Sequence, residues 1–353
     1  MNRPAFFRRF KRITVLFVAL LPLVAGCGLR QPASNRYEGS FLDVFDTVTT
    51  VILYDTDRNA AQQKIDEIHN ALLRYHRLYD IYHEYEGIHN LCTVNNNAGV
   101  APVSVEPPIL ELLQFAKEAY DRTGGRMNVA MGSVLSLWHD CREAGIQDPE
   151  HAVLPDAAAL LSAGAHTDIG QLQMDEAAGT VYLPDPDMRL DVGAVAKGYA
   201  AQRVMEQMAA QGVENLLLSV GGNVCGIGRR GDGKDWKVGV QSPDGAGYLC
   251  YVKIENASLV TSGTYQRYYT VDGKRYHHII DPDTRMPSDR YVSVSVLCSD
   301  SGLADALSTA LFNMSLSDGL ALIDSLPDTE ALWVTPDGTQ TQSSGFSDFL
   351  LPQ

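Results

Sequence analysis

The sequence predicts an α+β protein, on three observations. Helical apolar periodicities and β-branched runs both occur along most of the 353 residues. The strand-like runs gather together and are joined by tight turns, which favours antiparallel pairing. A 45% hydrophobic content with 20% charge is that of a packed domain, and excludes collagenous, coiled-coil or largely disordered chains. One body and two lobes both fit this pattern.

At the N-terminus, Arg3, Arg8, Arg9, Lys11 and Arg12 precede the apolar run from Ile13 to Ala25. That run is too short for the ~20 residues a spanning helix needs, so residues 1–26 are expected to be a secretory signal peptide. Leu23-Val24-Ala25-Gly26-Cys27 is similar to a bacterial lipobox, which makes Cys27 the expected lipidation site. The layout predicted is a signal peptide over 1–26, a lipidated tether over 27–39 and a folded body over 40–353. An ordinary signal peptide with Cys27 as a bystander is the alternative. The lipid would hold the body at the extracytoplasmic face of the cell membrane.

The whole chain carries 28 Lys+Arg against 43 Asp+Glu, and removing the five leader cations takes the rest from −15 to −20. Such a body repels polyphosphate backbones, so nucleic acid is excluded as a partner. An anionic small ligand would need a local cation or a metal.

Phe41 to Tyr54 is apolar and β-branched, a strand or hairpin. Ile65, Ile68, Leu72, Tyr75 and Tyr79 recur at spacings of three and four, giving a helix from about Asn59. A second helix opens at Pro107-Pro108, carries Ile109, Leu112, Leu113, Ala116 and Tyr120, and closes at Thr123-Gly124-Gly125. A short Ala-rich helix follows Pro155-Asp156, and 175–180 reads as a turn between short strands. Then come a helix over 196–208, a strand over 216–220 and a Gly221-Gly222 turn. Strands dominate 236–297, with a hairpin at Asp272-Gly273. Helices near 302–313 and 317–325 and a strand over 331–335 end the chain. Cys92, Cys141, Cys225, Cys250 and Cys298 show no metal-type spacing and are odd in number, so they are expected to be small buried residues.

Four segments could carry chemistry. Asp305 and Thr309 lie four apart on a helix, so a carboxylate and a hydroxyl share one face, a donor pair suited to Mg²⁺. The plain alternative is a helix N-terminal Asp favoured by the dipole. Asp191-Val192-Gly193-Ala194-Val195-Ala196-Lys197 leads from a strand into a helix, where amides and a lysine attract anions, or it is simply a Gly-cornered junction. His277 and His278 sit on opposite faces of a strand, so only one can face a site, as a general base near neutrality or as a structural histidine. Thr261-Ser262-Gly263-Thr264-Tyr265 is a hydroxyl-rich turn without a serine-hydrolase pattern.

Taken in order, Leu190 to Tyr199, Leu216 to Gly228, Thr261 to Tyr265, Tyr276 to Pro287 and Ser293 to Phe312 resemble the FAD:protein FMN transferase family, the ApbE-type flavin transferases. Thr123-Gly124-Gly125 and Leu137-Trp138 fall in the same order, so the likeness spans about Ser40 to Asp337. It implies the ApbE-type fold: mixed, mostly antiparallel sheets with flanking helices and a cofactor cleft, with one body or two lobes both left open. It also implies a Mg²⁺-dependent reaction in which FAD gives FMN to a Ser or Thr hydroxyl of an acceptor flavoprotein and AMP leaves. Acceptors of that kind are subunits of membrane redox complexes, such as sodium-pumping NADH:quinone oxidoreductases and Rnf complexes, or extracellular reductases. By the same resemblance the metal falls to Ala194, Asp305 and Thr309, and His278 becomes the base. Phe45, Tyr82, Arg126, Met127, Asn128, Asp191, Lys197, Ser262, Gly263 and Ile279 become cofactor contacts.

Three positions depart from the family pattern. Phe45-Asp46-Thr47 stands where many relatives have Met-Gly-Thr. Arg126-Met127-Asn128-Val129-Ala130 replaces Ala-Phe-Asp-x-Thr, losing an acid and a hydroxyl, and Arg285 replaces a glycine. Two other functions use the same cleft: a non-catalytic FAD-binding lipoprotein, and a Mg²⁺-dependent FAD pyrophosphatase with water as acceptor.

Overall fold

A computed structural model describes residues 34–352. The expected signal peptide and Cys27 lie outside the described residues. Strand β1 (Asn35–Val44) turns back into β2 (Thr47–Asp55), pairing from Asn35↔Asp55 to Val44↔Thr47. The pairing begins at Asn35, so the last residues of the stretch expected to be a tether already belong to the sheet. Phe45 and Asp46 form the two-residue turn at φ 53° and 49°, the left-handed pair of a tight hairpin. Aspartate tolerates that conformation, whereas a phenylalanine needs support. It comes from the Phe45 N–H, which donates to His76 Nδ1 at 3.1 Å, and from the edge-on contact of the two rings.

Helix α1 (Arg58–Tyr79) starts at Asp57, whose side chain accepts from the Ala60 amide, and buries Ile65, Ile68 and Leu72 as its periodicity predicts. The short helix α2 (Leu91–Asn96) follows, then β3 (Val103–Ser104) and α3 (Pro107–Arg122). Helix α4 (Gly132–Gln147) was not expected: Met131 at its start makes no side-chain cap, so the usual signal is missing. Next are α5 (Ala157–Ala163), β4 (Gln173–Asp175), β5 (Thr180–Tyr182), α6 (Ala196–Ala210), β6 (Leu216–Val220) and β7 (Asn223–Ile227). Strands β8 (Trp236–Gln241), β9 (Tyr248–Ile254), β10 (Ser258–Gly263), β11 (Tyr268–Val271), β12 (Lys274–His277) and β13 (Ser293–Cys298) come in succession. The chain closes with α7 (Ser301–Phe312), α8 (Leu316–Asp324), β14 (Glu330–Val334), β15 (Gln340–Gln342) and β16 (Leu350–Leu351).

The main sheet has eight strands in the order β1-β2-β6-β7-β10-β13-β14-β15, every neighbouring pair antiparallel. Alternate side chains divide its two faces. Val51, Leu53, Leu216 and Leu218 meet α1, α3 and α6, while Val294 and Val296 meet α7. Leu259, Leu297 and Leu332 point the other way, against the small sheet β16-β9-β8. Helix α4 packs with the β11–β12 hairpin through Trp138 and Tyr269. Of the one-body and two-lobe alternatives, the residues from Ser34 onward form one compact unit, in which a continuous sheet carries both helical clusters. The five described cysteines are all free; Cys92, Cys225 and Cys298 are buried, but Cys141 and Cys250 only partly so. No helix among the described residues is long and apolar enough to cross a membrane.

Candidate active site

Helices α6 and α7 meet so closely at Gly198 that a Cβ there would lie 2.3 Å from the Ser301 carbonyl and 2.5 Å from Asp305 Cβ. The approach brings the buried Asp305 against the first turn of α6, where its Oδ2 accepts the Gly198 N–H at 2.8 Å. Burial raises the Asp305 pKa, and the nearby Lys197 charge opposes that rise. Thr309 stands one helical turn on, as the spacing predicts, and Lys197 Nζ donates to the Gly193 carbonyl at 3.2 Å. These groups open into a cavity of about 450 Å³, a volume typical of a cofactor site.

His278 lines the same cavity. Its Nδ1 is 3.2 Å from the Arg267 carbonyl, which can only accept, so Nδ1 carries the proton and Nε2 is left with its lone pair. Burial, then the charge of Arg267, holds the ring well below its ordinary pKa, and therefore neutral. His277 is spent on structure. Its Nε2 donates to the Ser288 carbonyl at 2.7 Å, its Nδ1 accepts the Ile279 N–H, and the ring lies against Phe312. Of the two histidines, only His278 reaches the cavity.

Ser262 has its hydroxyl orientation set by a chain of bonds. Ser308 donates to the Asp305 carbonyl at 2.9 Å, so its oxygen must receive the hydrogen of Ser262, 2.8 Å away. Ser262 thus offers only lone pairs to a ligand. Asp191 also lines the cavity; it accepts the Gly193 N–H at 2.8 Å, and burial raises its pKa.

All the expected cofactor, metal and base positions line this one cavity: Phe45, Tyr82, Arg126, Met127, Asn128, Asp191, Ala194, Lys197, Ser262, Gly263, His278, Ile279, Asp305 and Thr309. They do not contribute alike. Met127 and Ile279 are packed into hydrophobic clusters and shape the wall. Arg126 bonds Asp283 and lies 4.0 Å from Asp281, tying the Gly124-Gly125 loop to the turn after His278. Asn128 is turned partly to structure, its amide donating to the Thr167 carbonyl at 2.9 Å. Arg285 takes a left-handed φ of 58°, a conformation that glycine adopts without strain. Its carbonyl accepts the Trp138 indole N–H at 2.8 Å.

Helix α4 supplies what the sequence left unseen. Leu135, Trp138, His139 and Arg142 line the cavity at helical spacing. Tyr82 stacks on His139 with ring centroids 4.8 Å apart, and Arg142 donates to His139 Nδ1 at 2.9 Å. The i, i+3, i+4, i+7 pattern was present in the sequence, but it mixes apolar and charged residues and so carries little amphipathic signal.

A cation suits the α6–α7 wall. One buried carboxylate, one hydroxyl and the Ala194 carbonyl are hard oxygen donors, the set Mg²⁺ takes while keeping several waters. The buried Asn223 amide lies against Asp305 and lines the cavity, a further polar group turned to this corner. The other acidic cluster among the described residues, His166 with Asp185 and Asp187, lies outside the cavity, and its ring bonds Asp185 at 2.7 Å.

The ApbE family model matches residues 45–333. The chain is 38% identical to a FAD:protein FMN transferase of Klebsiella pneumoniae (strain 342), over 69% of this chain and 73% of the relative. It is 33% identical to one of Treponema pallidum (strain Nichols), over 96% of this chain and 94% of the relative. Among solved structures, the ApbE protein of Thermotoga maritima superposes with a TM-score of 0.79 at 27% identity, covering 90% of this chain and 100% of that one. The flavin transferase ApbE of Vibrio cholerae gives a TM-score of 0.75 at 26% identity, with 90% and 100% covered.

Proposed function

The chain belongs to the ApbE family, and from that premise we propose that it is an FAD:protein FMN transferase. FAD is the donor, a Ser or Thr hydroxyl of an acceptor flavoprotein is the nucleophile, and AMP is the leaving group. The observation that carries this reading is the meeting of His278 with Asp305 and Thr309 around one cavity.

Chemically, the acceptor oxygen forms a bond to the flavin-side phosphorus as the bond from that phosphorus to the bridging oxygen breaks. The bridging oxygen leaves with AMP, and the hydroxyl proton passes to His278 Nε2. A neutral imidazole with its lone pair on Nε2 suits that task, and holding Nδ1–H on the Arg267 carbonyl keeps the ring in this tautomer. Mg²⁺, when held by Asp305, Thr309 and the Ala194 carbonyl, supplies charge neutralisation for the diphosphate. Lys197 adds a cation at the same wall. The Tyr82–His139 stack and Phe45 form an aromatic wall suited to the isoalloxazine. Lone pairs on Ser262 receive a hydroxyl or N–H of the ligand.

The reading extends to place: a lipid on Cys27 would hold the enzyme at the extracytoplasmic face, beside flavin-bearing subunits of membrane redox complexes or extracellular reductases. Its support is the lipobox-like sequence. The test is incubation with FAD, Mg²⁺ and a purified apo subunit of such a complex, followed by mass spectrometry and nucleotide chromatography. The expected result is an FMN–protein adduct with one AMP per adduct. No adduct would overturn the transferase, and FMN plus AMP formed without the acceptor would point to water as the nucleophile.

A further inference from the structure

Four cations stand on the cavity wall, and three of them are committed. Arg126 is bonded to Asp283, Arg142 to Glu143 and His139, and Lys197 to the Gly193 carbonyl. The fourth, Arg267, makes no side-chain hydrogen bond or ion pair among the described residues, although its backbone is firmly placed. Its carbonyl accepts both the Nδ1–H and, at 3.2 Å, the backbone N–H of His278. The guanidinium therefore stands on the same short segment that orients the base.

We infer that Arg267 is a further catalytic residue, whose guanidinium binds non-bridging oxygens of the phosphoryl group attacked beside His278. The inference rests on the transferase reading and deepens it. The wall's two uncarboxylated cations serve different ends of the diphosphate. Lys197 directly precedes Gly198, whose N–H is held by Asp305, whereas Arg267 holds His278 through its own carbonyl. A diphosphate lying from Asp305 to His278 has Lys197 at one end and Arg267 at the other. Phosphoryl transfer gathers charge on the equatorial oxygens, and a planar fork of donors there stabilises the transition state more than the ground state. Side-chain exposure fits this role, because the fork must be free to close on a ligand, and the substitution leaves the backbone bond to His278 intact.

The test compares Arg267→Gln, Arg267→Lys and Arg267→Ala with Arg275→Gln. Arg275, on β12 over the Tyr268 ring and outside the cavity, is the control for a general loss of positive charge. Two quantities are read: the single-turnover rate of FMN transfer to the apo acceptor at saturating FAD, and calorimetric affinity for inorganic pyrophosphate. Arg267→Gln is expected to slow transfer roughly 10²–10³-fold and to weaken pyrophosphate about tenfold. Arg267→Lys should keep most of the pyrophosphate affinity with only part of the rate, since a point charge lacks the fork. Added guanidinium ion should restore Arg267→Ala by about tenfold, an effect that a purely structural role would not produce. A transfer rate in Arg267→Gln matching that of Arg275→Gln, or no rescue by guanidinium, overturns the inference. If the wild type binds FAD but yields no adduct, the transferase reading fails instead, and the pyrophosphate arm decides Arg267: affinity unchanged in Arg267→Gln overturns its contact with phosphate.

Discussion

On one wall of the cavity, Asp305, Thr309 and Lys197 stand on α6 and α7, two helices whose backbones touch at a glycine. Elsewhere around the cavity, on a second stretch of wall, Phe45 sits in a hairpin turn, Arg126 in a loop held by an ion pair, and Tyr82 against a histidine of α4. The first wall is rigid because regular helices position it, and its groups keep the spacing written in the chain. The second is assembled from turns and loops, so its geometry depends on particular long-range partners. The positions that the sequence reading marked as departures, Phe45-Asp46, 126–130 and Arg285, lie in turns and loops, where changed side chains can find new partners. The metal and phosphate chemistry needs fixed positions, while a planar ring needs a fitting surface.

The contrast is tested most sharply at Asp305. Asp305→Asn keeps an acceptor for the Gly198 N–H and removes the charge, so FMN transfer should fall by about a thousandfold or more while the melting temperature changes little. Turnover near wild type would reduce that wall to a helix cap. His278→Ala comes next, with an expected loss of roughly 10²–10⁴-fold in rate and little change in FAD affinity measured by fluorescence quenching. If affinity collapses and saturated turnover survives, His278 is a binding residue.

The same histidine gives a pH prediction. Burial lowers the pKa of both His277 and His278, so the folded protein resists taking up protons that the unfolded chain accepts near its ordinary value of about 6.5. Stability is then full above that pH and is lost as pH falls toward the lower folded values. His278→Gln should flatten the decline in melting temperature below pH 6.5, and the base itself should stay competent in mildly acidic buffer.

The second stretch of wall should respond less. Arg126→Ala breaks a partly exposed pair with Asp283, and a stability loss of about 0.2–1 kcal/mol is expected, with weakened FAD binding but intact chemistry. A loss as large as that of Asp305→Asn would erase the distinction between the walls. The smallest effect on transfer belongs to Asp46→Gly, which relieves a left-handed residue and should stabilise the fold by about 1 kcal/mol, read by chemical denaturation, with turnover little changed.

Much of the site was legible because its signals are local. Asp305 and Thr309 share a helix face by spacing alone; the expected strand alternation of the two histidines does not hold, because β12 ends at His277 and His278 already lies in the bend after it. The β2 strand, α1, α3 and the α5 start follow from periodicity and from residues such as Pro107 and Asp156 that mark helix starts, whereas the Asp57 cap of α1 was read only from the structure. What escaped has no local mark. Helix α4 opens without a cap, Arg267 looks like any surface arginine, and the hydroxyl chain from Ser262 through Ser308 joins residues 46 apart.

By itself, then, the sequence determined the α+β class, the principal helices and strands, and the residue types able to hold a diphosphate and a cation. Only the tertiary structure decided that one sheet carries a single body, that His278 is the histidine lining the cavity with Asp305, and that α4 and Arg267 complete the wall. The physical reason is range: periodicity and capping act over a few residues, whereas a cavity is defined by side chains that meet only after the chain has folded back on itself.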